Sequence, residues 1–352
     1  MIRIVFGTTY SKSELCQYPS NYGYYIKDFM KDPDFDVMLI NPKDYKGNYI
    51  QRMMEMVKVI RDFQADILYL NLWQGYNNLV LAKILGLLKC KIVIWKYTYC
   101  IDSSNPFKHF FYKKIYWNAI DRIYMMFDNH TDDALRKNLI KSSRITTLSR
   151  GTDISWYSEF VQEKPYELPF SLIATGQDHR DYATLAKACE ETHTKCLIIG
   201  GKYSNTLQTA EEYKDSIYVR FEFLENPWGI DAYRYIMKKV GEASALAICC
   251  EKLPYGAGYT NIVDSLAFKI PIIQTLNPDV HLDPQKEGIG YSVMPYDVEG
   301  WKRIISDIKD NVSKRIICAE KIQNLLNEYY NSQYTAAYIK RDFFNLLSVE
   351  NG

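Results

Sequence analysis

Nothing in the chain approaches the roughly 20 consecutive apolar residues that a membrane-crossing helix needs, so a soluble or peripheral protein is expected. Neither a G-x-G-x-x-G run nor a Walker loop occurs, which leaves dinucleotide redox chemistry and nucleotide hydrolysis without their phosphate cradles. The five histidines (109, 130, 179, 193 and 281) show no metal-ligand spacing, and no C-x-x-C pair joins any of the eight cysteines. Several cysteines lie in apolar runs instead, as in Ile248-Cys249-Cys250, which is the setting of reduced, buried thiols. An export signal is also lacking, because residues 1–7 read as a first strand ending in glycine. These absences together point to the cytoplasm. Low-complexity tracts and short-period repeats are missing too, so solenoid and disordered architectures are excluded.

What is present is the material of two packed domains: 352 residues with 47% apolar content. The net charge of +1 conceals an asymmetry. Residues 1–150 carry 22 Lys+Arg against 14 Asp+Glu, a balance of +8, and residues 151–352 carry 21 against 28, a balance of −7. The first half is therefore expected to meet something anionic.

Short apolar runs alternate with helical patterns throughout. In the first half, strands are expected at 3–7, 36–40, 67–71, 91–96, 122–127 and 145–148, with helices near 24–30, 50–63, 78–87, 107–115 and 132–140. In the second, strands are expected at 171–175, 196–199, 217–221, 245–250, 270–275 and 290–293, with helices near 182–191, 231–243, 261–268 and 301–310. The periodicity lapses at 153–169, where two prolines stand. Alternation of this kind implies parallel sheets. The economical architecture is α/β, with two Rossmann-like domains, 1–150 and 151–320, facing across a cleft. A single tyrosine-rich helix is expected over 321–347, and packing of 321–352 back on the first domain fits that layout.

The most informative stretch is Gly258-Tyr259-Thr260-Asn261-Ile262-Val263-Asp264, which reads as a glycine-bearing loop opening a helix. Thr260 and Asn261 are expected to cap that helix, turning free N–H groups toward an anion, with Asp264 one turn deeper to take a sugar hydroxyl. The companion stretch is Gly176-Gln177-Asp178-His179-Arg180-Asp181-Tyr182 at the end of a strand. Gly176 permits a tight turn at the carboxyl edge of the sheet, Asp181 can cap the next helix, and Arg180 can fork two phosphate oxygens.

These two segments, with Leu148-Ser149-Arg150-Gly151-Thr152-Asp153 between the halves, resemble the donor half of GT-B glycosyltransferases, most closely family 4 and its relatives. The resemblance spans roughly residues 145–275; the N-terminal half matches only in its strand–helix rhythm. It implies transfer of a sugar from a UDP- or GDP-linked donor, with no other cofactor and no metal. The acceptor it implies is a saccharide or lipid-linked sugar held mainly by the first domain. Asp264 would hold the ribose, Arg180 the diphosphate, and Thr260 and Asn261 a phosphate through their amides, with Gly176, Gly258 and Tyr259 shaping the pocket. The family also implies surface-polysaccharide assembly in a bacterium and a lean to retention of configuration. One position departs from the pattern: Gly256 stands where a sugar-binding Glu is usual. Glu251 is the candidate to replace it, and Lys252 the candidate lysine partner of Arg180. A nucleotide-sugar epimerase of the same architecture, or a GT-B subunit that binds without catalysis, are the alternative readings.

On the acceptor side the candidates are Asp128 as base or helix cap, His130, Lys96, Tyr97, and Tyr24 of the tyrosine-rich 21–25 segment, which suits sugar stacking. Asp32-Pro33-Asp34 and Asp34-Phe35-Asp36 spell Asp-x-Asp, a metal motif in another glycosyltransferase fold, but they precede a strand and read here as a turn. The segment 107–117 mixes lysines with large aromatics at helical spacing. It suits either an anionic inner-membrane face or a buried helix with snorkelling lysines. No nucleic-acid-binding module surrounds it.

Overall fold

The computed structural model describes residues 1–71, 76–162, 169–177, 179–252, 257–277, 282–328 and 330–348. The chain divides into two compact units, Met1–Arg150 with the C-terminal residues from Ser332, and Gly151–Asn331.

Unit 1 is built on β1 (Ile2–Gly7), β2 (Phe35–Ile40), β3 (Ile67–Asn71), β4 (Lys91–Lys96), β5 (Arg122–Met125) and β6 (Ile145–Thr147). These pair in parallel in the order β2-β1-β3-β4-β5-β6. Its helices are α1 (Lys12–Gln17), α2 (Ile26–Phe29), α3 (Tyr49–Asp62), α4 (Asn77–Ile84), α5 (Pro106–Phe111) and α6 (Asp128–Arg136). Residues Ile67–Leu70 and Ile92–Trp95 are wholly buried, as central parallel strands between two helical layers must be. Helix α1 escaped the periodicity because it is only six residues long, although Ser11 and Glu14 form a capping box at its start. Helix α2 is shorter than the expected 24–30 because Tyr24 and Tyr25 take φ of 51° and 66°, left-handed values that cannot open a right-handed helix.

Unit 2 holds α7 (Ile154–Tyr157), β7 (Ser171–Gly176), α8 (Tyr182–Glu191), β8 (Lys195–Gly200), α9 (Ser204–Glu212), β9 (Val219–Glu222) and α10 (Ile230–Glu242). It continues through β10 (Ala245–Ile248), α11 (Tyr259–Leu266), β11 (Ile272–Thr275), β12 (Gly290–Val293), α12 (Val298–Asp310) and α13 (Val312–Glu328). The sheet runs β12-β11-β10-β7-β8-β9, again parallel. Starting from the central β7, the chain winds outward through β8 and β9, then crosses to β10 on the other side. That is the strand order of dinucleotide-binding folds, and it puts the topological reversal between β7 and β10. In unit 1 the reversal lies between β1 and β3. Ligands of open α/β sheets bind beyond the carboxyl ends of the strands at such reversals, so topology alone nominates two sites.

The C-terminal segment is two helices rather than the single one expected, α13 and α14 (Ser332–Ser348). Between them Tyr330 O accepts from Thr152 N at 2.9 Å, and Asn331 Nδ2 donates to Leu326 O at 2.8 Å, which ends α13 within unit 2. Helix α14 belongs to unit 1. Its Phe343 is fully buried against Phe29, Phe35 and Tyr69, with ring centroids 5.6, 6.4 and 5.3 Å away. Asp342 accepts from Arg122 Nη2 and from Tyr124 OH, both at 2.7 Å. Lys340 Nζ sits 2.6 Å from Asp32 and 2.8 Å from Asp34, so the Asp-x-Asp sequence holds a lysine. Replacing Asp342 by Ala leaves the buried Tyr124 phenol and one side of the part-buried Arg122 guanidinium without that acceptor, and should cost about 1–3 kcal/mol. A urea-unfolding midpoint indistinguishable from wild type would refute that role for α14.

Candidate functional site

Strand β7 ends in Thr175-Gly176, and β10 runs out into Cys249-Cys250-Glu251. Residues 179–181 lie antiparallel to 249–251: Asp181 N donates to Cys249 O at 3.1 Å, and Glu251 N to His179 O at 3.0 Å. This clip, at the reversal point, fixes the direction of Arg180. Its Nη2 donates to Asn261 Oδ1 at 2.9 Å, its Nη1 meets Cys250 Sγ at 2.9 Å, and its Nε reaches Thr175 O at 3.4 Å. The guanidinium lies against Gly176, where a Cβ would come within 2.2 Å of Nε and where φ is +138°. Glycine is required there twice over, by space and by backbone.

Arg180 is only 9% exposed, yet among the described residues no carboxylate pairs with it. Its partners are a backbone carbonyl, an amide and a thiol. Burial pushes the Cys250 thiol up, with Arg180 opposing, and pushes Cys249 well above its usual value, so both stay neutral at physiological pH. Asp181 does not help, because its carboxylate caps α8 by accepting from Thr184 N at 3.2 Å. A buried cation with only neutral partners is costly unless an anion completes the site.

The start of α11 faces the same corner. Its N-cap is Gly258, at φ +87°, and no side chain caps it. A Cβ on Gly258 would stand 2.5 Å from Ile248 Cγ2. This corrects the expected caps: Thr260 and Asn261 lie inside the first turn. Asn261 spends its amide on Arg180 and, through Nδ2, on Thr175 Oγ1 at 2.6 Å. Thr260 is exposed and Tyr259 buried. The positive end of the helix dipole and the guanidinium thus share one corner, linked by Asn261.

Asp264 belongs to a second cluster. Its Oδ1 accepts from Tyr233 OH at 2.8 Å and from Tyr157 OH, and the two phenols are 2.6 Å apart. Burial, helped by the Asp264 charge, pushes the Tyr233 hydroxyl well above its usual range, so it acts as a donor. Neither tyrosine carried a signal in the sequence, since neither ends a strand or sits in a motif. Glu251 is partly exposed, with Oε2 3.2 Å from His179 Nδ1 and Oε1 3.5 Å from Asn205 Nδ2. Lys252 is exposed. Gly256, Asp178 and His281 lie outside the described residues.

At the unit 1 reversal the carboxyl ends of β1 and β3 open on a cavity of about 360 Å³, lined by Thr8, Tyr10, Tyr22, Tyr24, Asn71 and Tyr76 among others. Asn71 Oδ1 is buried there and, among the described residues, has no hydrogen-bond partner. Thr8 and Asn71 were missed, although a polar residue closing the apolar run of β3 was a readable signal. Of the expected acceptor-side residues only Tyr24 lines this cavity. Tyr97 is half-buried, with its hydroxyl pushed up to about 12 by burial. Lys96 is buried at the end of β4, where Nζ donates to Thr98 Oγ1 at 2.9 Å and burial lowers its pKa. His130 is wholly buried, packed against Tyr99 and Phe127, with centroids 3.9 and 5.1 Å away, and so stands in the core rather than at a surface. Asp128 is the exposed first residue of α6, after the N-cap Phe127. Among the described residues no group of three or more His, Cys, Asp or Glu could hold a metal ion.

No family model matches the chain, and neither does any curated protein. Solved structures do. A glycosyltransferase from Rickettsia africae is similar at 14% identity and a TM-score of 0.72, with 98% of each chain covered. Anabaena HepE, solved with UDP and glucose, is similar at 12% identity and 0.66, covering 97% of this chain and 99% of that one. The UDP-GlcNAc 2-epimerase of Neisseria meningitidis, bound to UDP-GlcNAc, is similar at 9% and 0.66, covering 98% and 99%. With both sheets six-stranded and parallel, this likeness establishes the two-domain α/β architecture as the GT-B fold.

The isolation of Arg180 makes an unusual prediction. Arg180→Met should leave the ligand-free protein as stable as wild type, or more stable by about 1–4 kcal/mol, because it removes a buried charge that has no carboxylate partner among the described residues. The same change should abolish any melting-temperature rise with inorganic pyrophosphate. A strongly destabilised variant would mean that the guanidinium is structural.

Proposed function

We propose that this chain is a glycosyltransferase that moves a sugar from a nucleotide-sugar donor to a saccharide or lipid-linked acceptor. The observation that carries the reading is the buried Arg180 guanidinium, whose partners among the described residues are all neutral, set beside the uncapped start of α11 at the β7–β10 reversal. A diphosphate completes such a site. When the glycosidic bond to the donor breaks, charge grows on that diphosphate, and fixed donors in a water-poor corner stabilise it. Gly176 lets the guanidinium approach, Gly258 lets the helix start there, and Tyr259, Thr260 and Asn261 would offer first-turn backbone groups. In this reading Asp264 takes the ribose, held in place by Tyr157 and Tyr233, while Glu251 and Lys252 stand at the sugar side. The unit 1 cavity suits the acceptor: phenol rings can stack on a sugar face, and Asn71 Oδ1 needs a hydroxyl donor. Asp128 remains the proposed base, with Lys96 and Tyr97 on the same sheet edge.

The UDP and glucose named for Anabaena HepE favour UDP over GDP as the carrier. Retention of configuration and a role in bacterial surface-polysaccharide assembly rest on the family resemblance alone. A cytoplasmic site, peripheral on the inner membrane face, fits the absence, among the described residues, of any helix long and apolar enough to cross a membrane. A second reading, nucleotide-sugar epimerisation, is favoured by the likeness to the Neisseria epimerase.

Thermal shift against UDP-, GDP- and CDP-sugars tests the donor. A ligand at a hundred times its Kd should add about 2.7 kcal/mol, and failure of all three to stabilise the wild type overturns the reading. With a stabilising donor in hand, Arg180→Ala should lower transfer by roughly 10²–10³-fold. Asp264→Asn is the sound partner variant, since Asp264→Ala would also orphan two buried phenols. Conversion of the donor without any acceptor would select the epimerase.

A further inference from the structure

The segment after β4 supplies three lysines, Lys108, Lys113 and Lys114, and residues 103–120 contain no Asp or Glu. Helix α5 runs on into one π-helical turn, Tyr112–Tyr116. The inner side of this segment is pinned: Tyr116 is buried, with its OH donating to Asn77 Oδ1 at 2.8 Å, and the buried Trp117 donates through Nε1 to Ile101 O at 3.0 Å. Phe111 and Tyr112 pack half-buried against the core, and two large rings are left outside it. Phe107 is 87% exposed and Phe110 59%. Phe107, Phe110 and Lys114 fall at helical spacing on one side, with Lys108 and the exposed Ile115 beside them. The segment thus buries one face, and Phe107 and Phe110 of α5 stand on the other, facing solvent.

A second group adjoins it. Tyr49 and Ile50, in the first turn of α3, are 48% and 64% exposed, and the Tyr49 hydroxyl is near enough to that of Tyr116 to raise its pKa. That turn contains no acidic residue either. In a parallel α/β sheet each helix begins where its preceding strand ends. The first turns of α3 and α5 therefore lie toward the carboxyl edge of the unit 1 sheet, the edge on which the cavity opens.

We propose that unit 1 docks on an anionic lipid bilayer through this rim, with Phe107 and Phe110 entering the acyl boundary and Lys108, Lys113 and Lys114 meeting headgroup phosphates. The charge pattern selects the occupant. Exposed rings alone would suit a protein partner, but rings interleaved with lysines, with Asp102 beside them held on His109 Nδ1 at 2.7 Å, match a negatively charged interface. The +8 balance of residues 1–150 adds a longer-range attraction of the same sign. Bound this way, unit 1 holds its cavity edge toward the lipid surface. An acceptor for the transfer proposed above would then come from the plane of the membrane as a lipid-linked sugar. That last step rests on the transferase reading; the docking does not.

The experiment is co-sedimentation of the full chain with phosphatidylcholine vesicles, with and without phosphatidylglycerol, in the absence of donor and acceptor. Wild type should bind only the anionic vesicles and release as salt is raised. Phe107→Ser with Phe110→Ser should weaken binding by roughly tenfold or more. Each of Lys108→Gln, Lys113→Gln and Lys114→Gln should weaken it by about fivefold. The replaced side chains lie outside the buried core, so melting temperatures should not change. Equal binding to both vesicle types, no binding to either, or variants that bind like wild type would each overturn the proposal. None of these outcomes touches the nucleotide thermal shift, so the docking and the transferase reading fail separately.

Discussion

A guanidinium shut away from water, with no carboxylate partner among the described residues, sets the terms for unit 2. Arg180 is held by a carbonyl, an amide and a protonated thiol. Each neighbour is in turn arranged around it. Gly176 gives up its side chain so that the guanidinium can lie against the strand end, and Asn261 reaches out of α11 to bond it and Thr175 together. The antiparallel clip of 179–181 on 249–251 keeps the arginine from swinging out to solvent. Hydrophobic burial could have filled this corner at less cost, and the protein keeps a charge there instead. Rules of local consistency in a sequence are most often broken where a ligand is meant to complete them.

Much of this was legible before any coordinates. The twelve strands were readable because parallel strands buried on both faces are near-continuous apolar runs, as in Ile67–Leu70 and Ala245–Ile248. Their order was not readable, and the two reversals that locate the sites emerge only from the sheet. Gly176 and Gly258 were legible because backbone geometry demands glycine at those turns, and Arg180 and Asn261, singled out as donors near strand ends, do lie side by side. What failed was the expectation that Thr260 and Asn261 cap α11, whose N-cap is Gly258. Asn261 sits in the first turn of α11, but Arg180 competes for its oxygen and wins. Tyr157 and Tyr233 were invisible for a different reason. In a chain with 30 tyrosines, a phenol that bonds a buried carboxylate cannot be told from one that only fills space. His130 is the reverse case, a histidine singled out for its chemistry that proves to be core.

The two units use polar burial differently. In unit 2 the buried polar groups gather at the strand ends around an unbalanced charge. In unit 1 the balanced pairs are structural, as with Arg122 and Tyr124 on Asp342, while the tyrosine-lined cavity edge holds one buried amide oxygen, Asn71 Oδ1, that has no partner among the described residues. The transfer proposed above would use the first corner for the charged carrier and the second for a sugar.

Helix α14 carries a consequence for how the protein is made. The N-terminal unit owns the last helix of the chain, and Phe29, Phe35, Tyr69 and Tyr124 have no finished core until Phe343 and Asp342 arrive. Residues 1–150 are therefore synthesised before the helix that completes their core, while Gly151–Asn331 can close on itself beforehand. A nascent chain that has not yet reached α14 would expose an aromatic groove in its first unit.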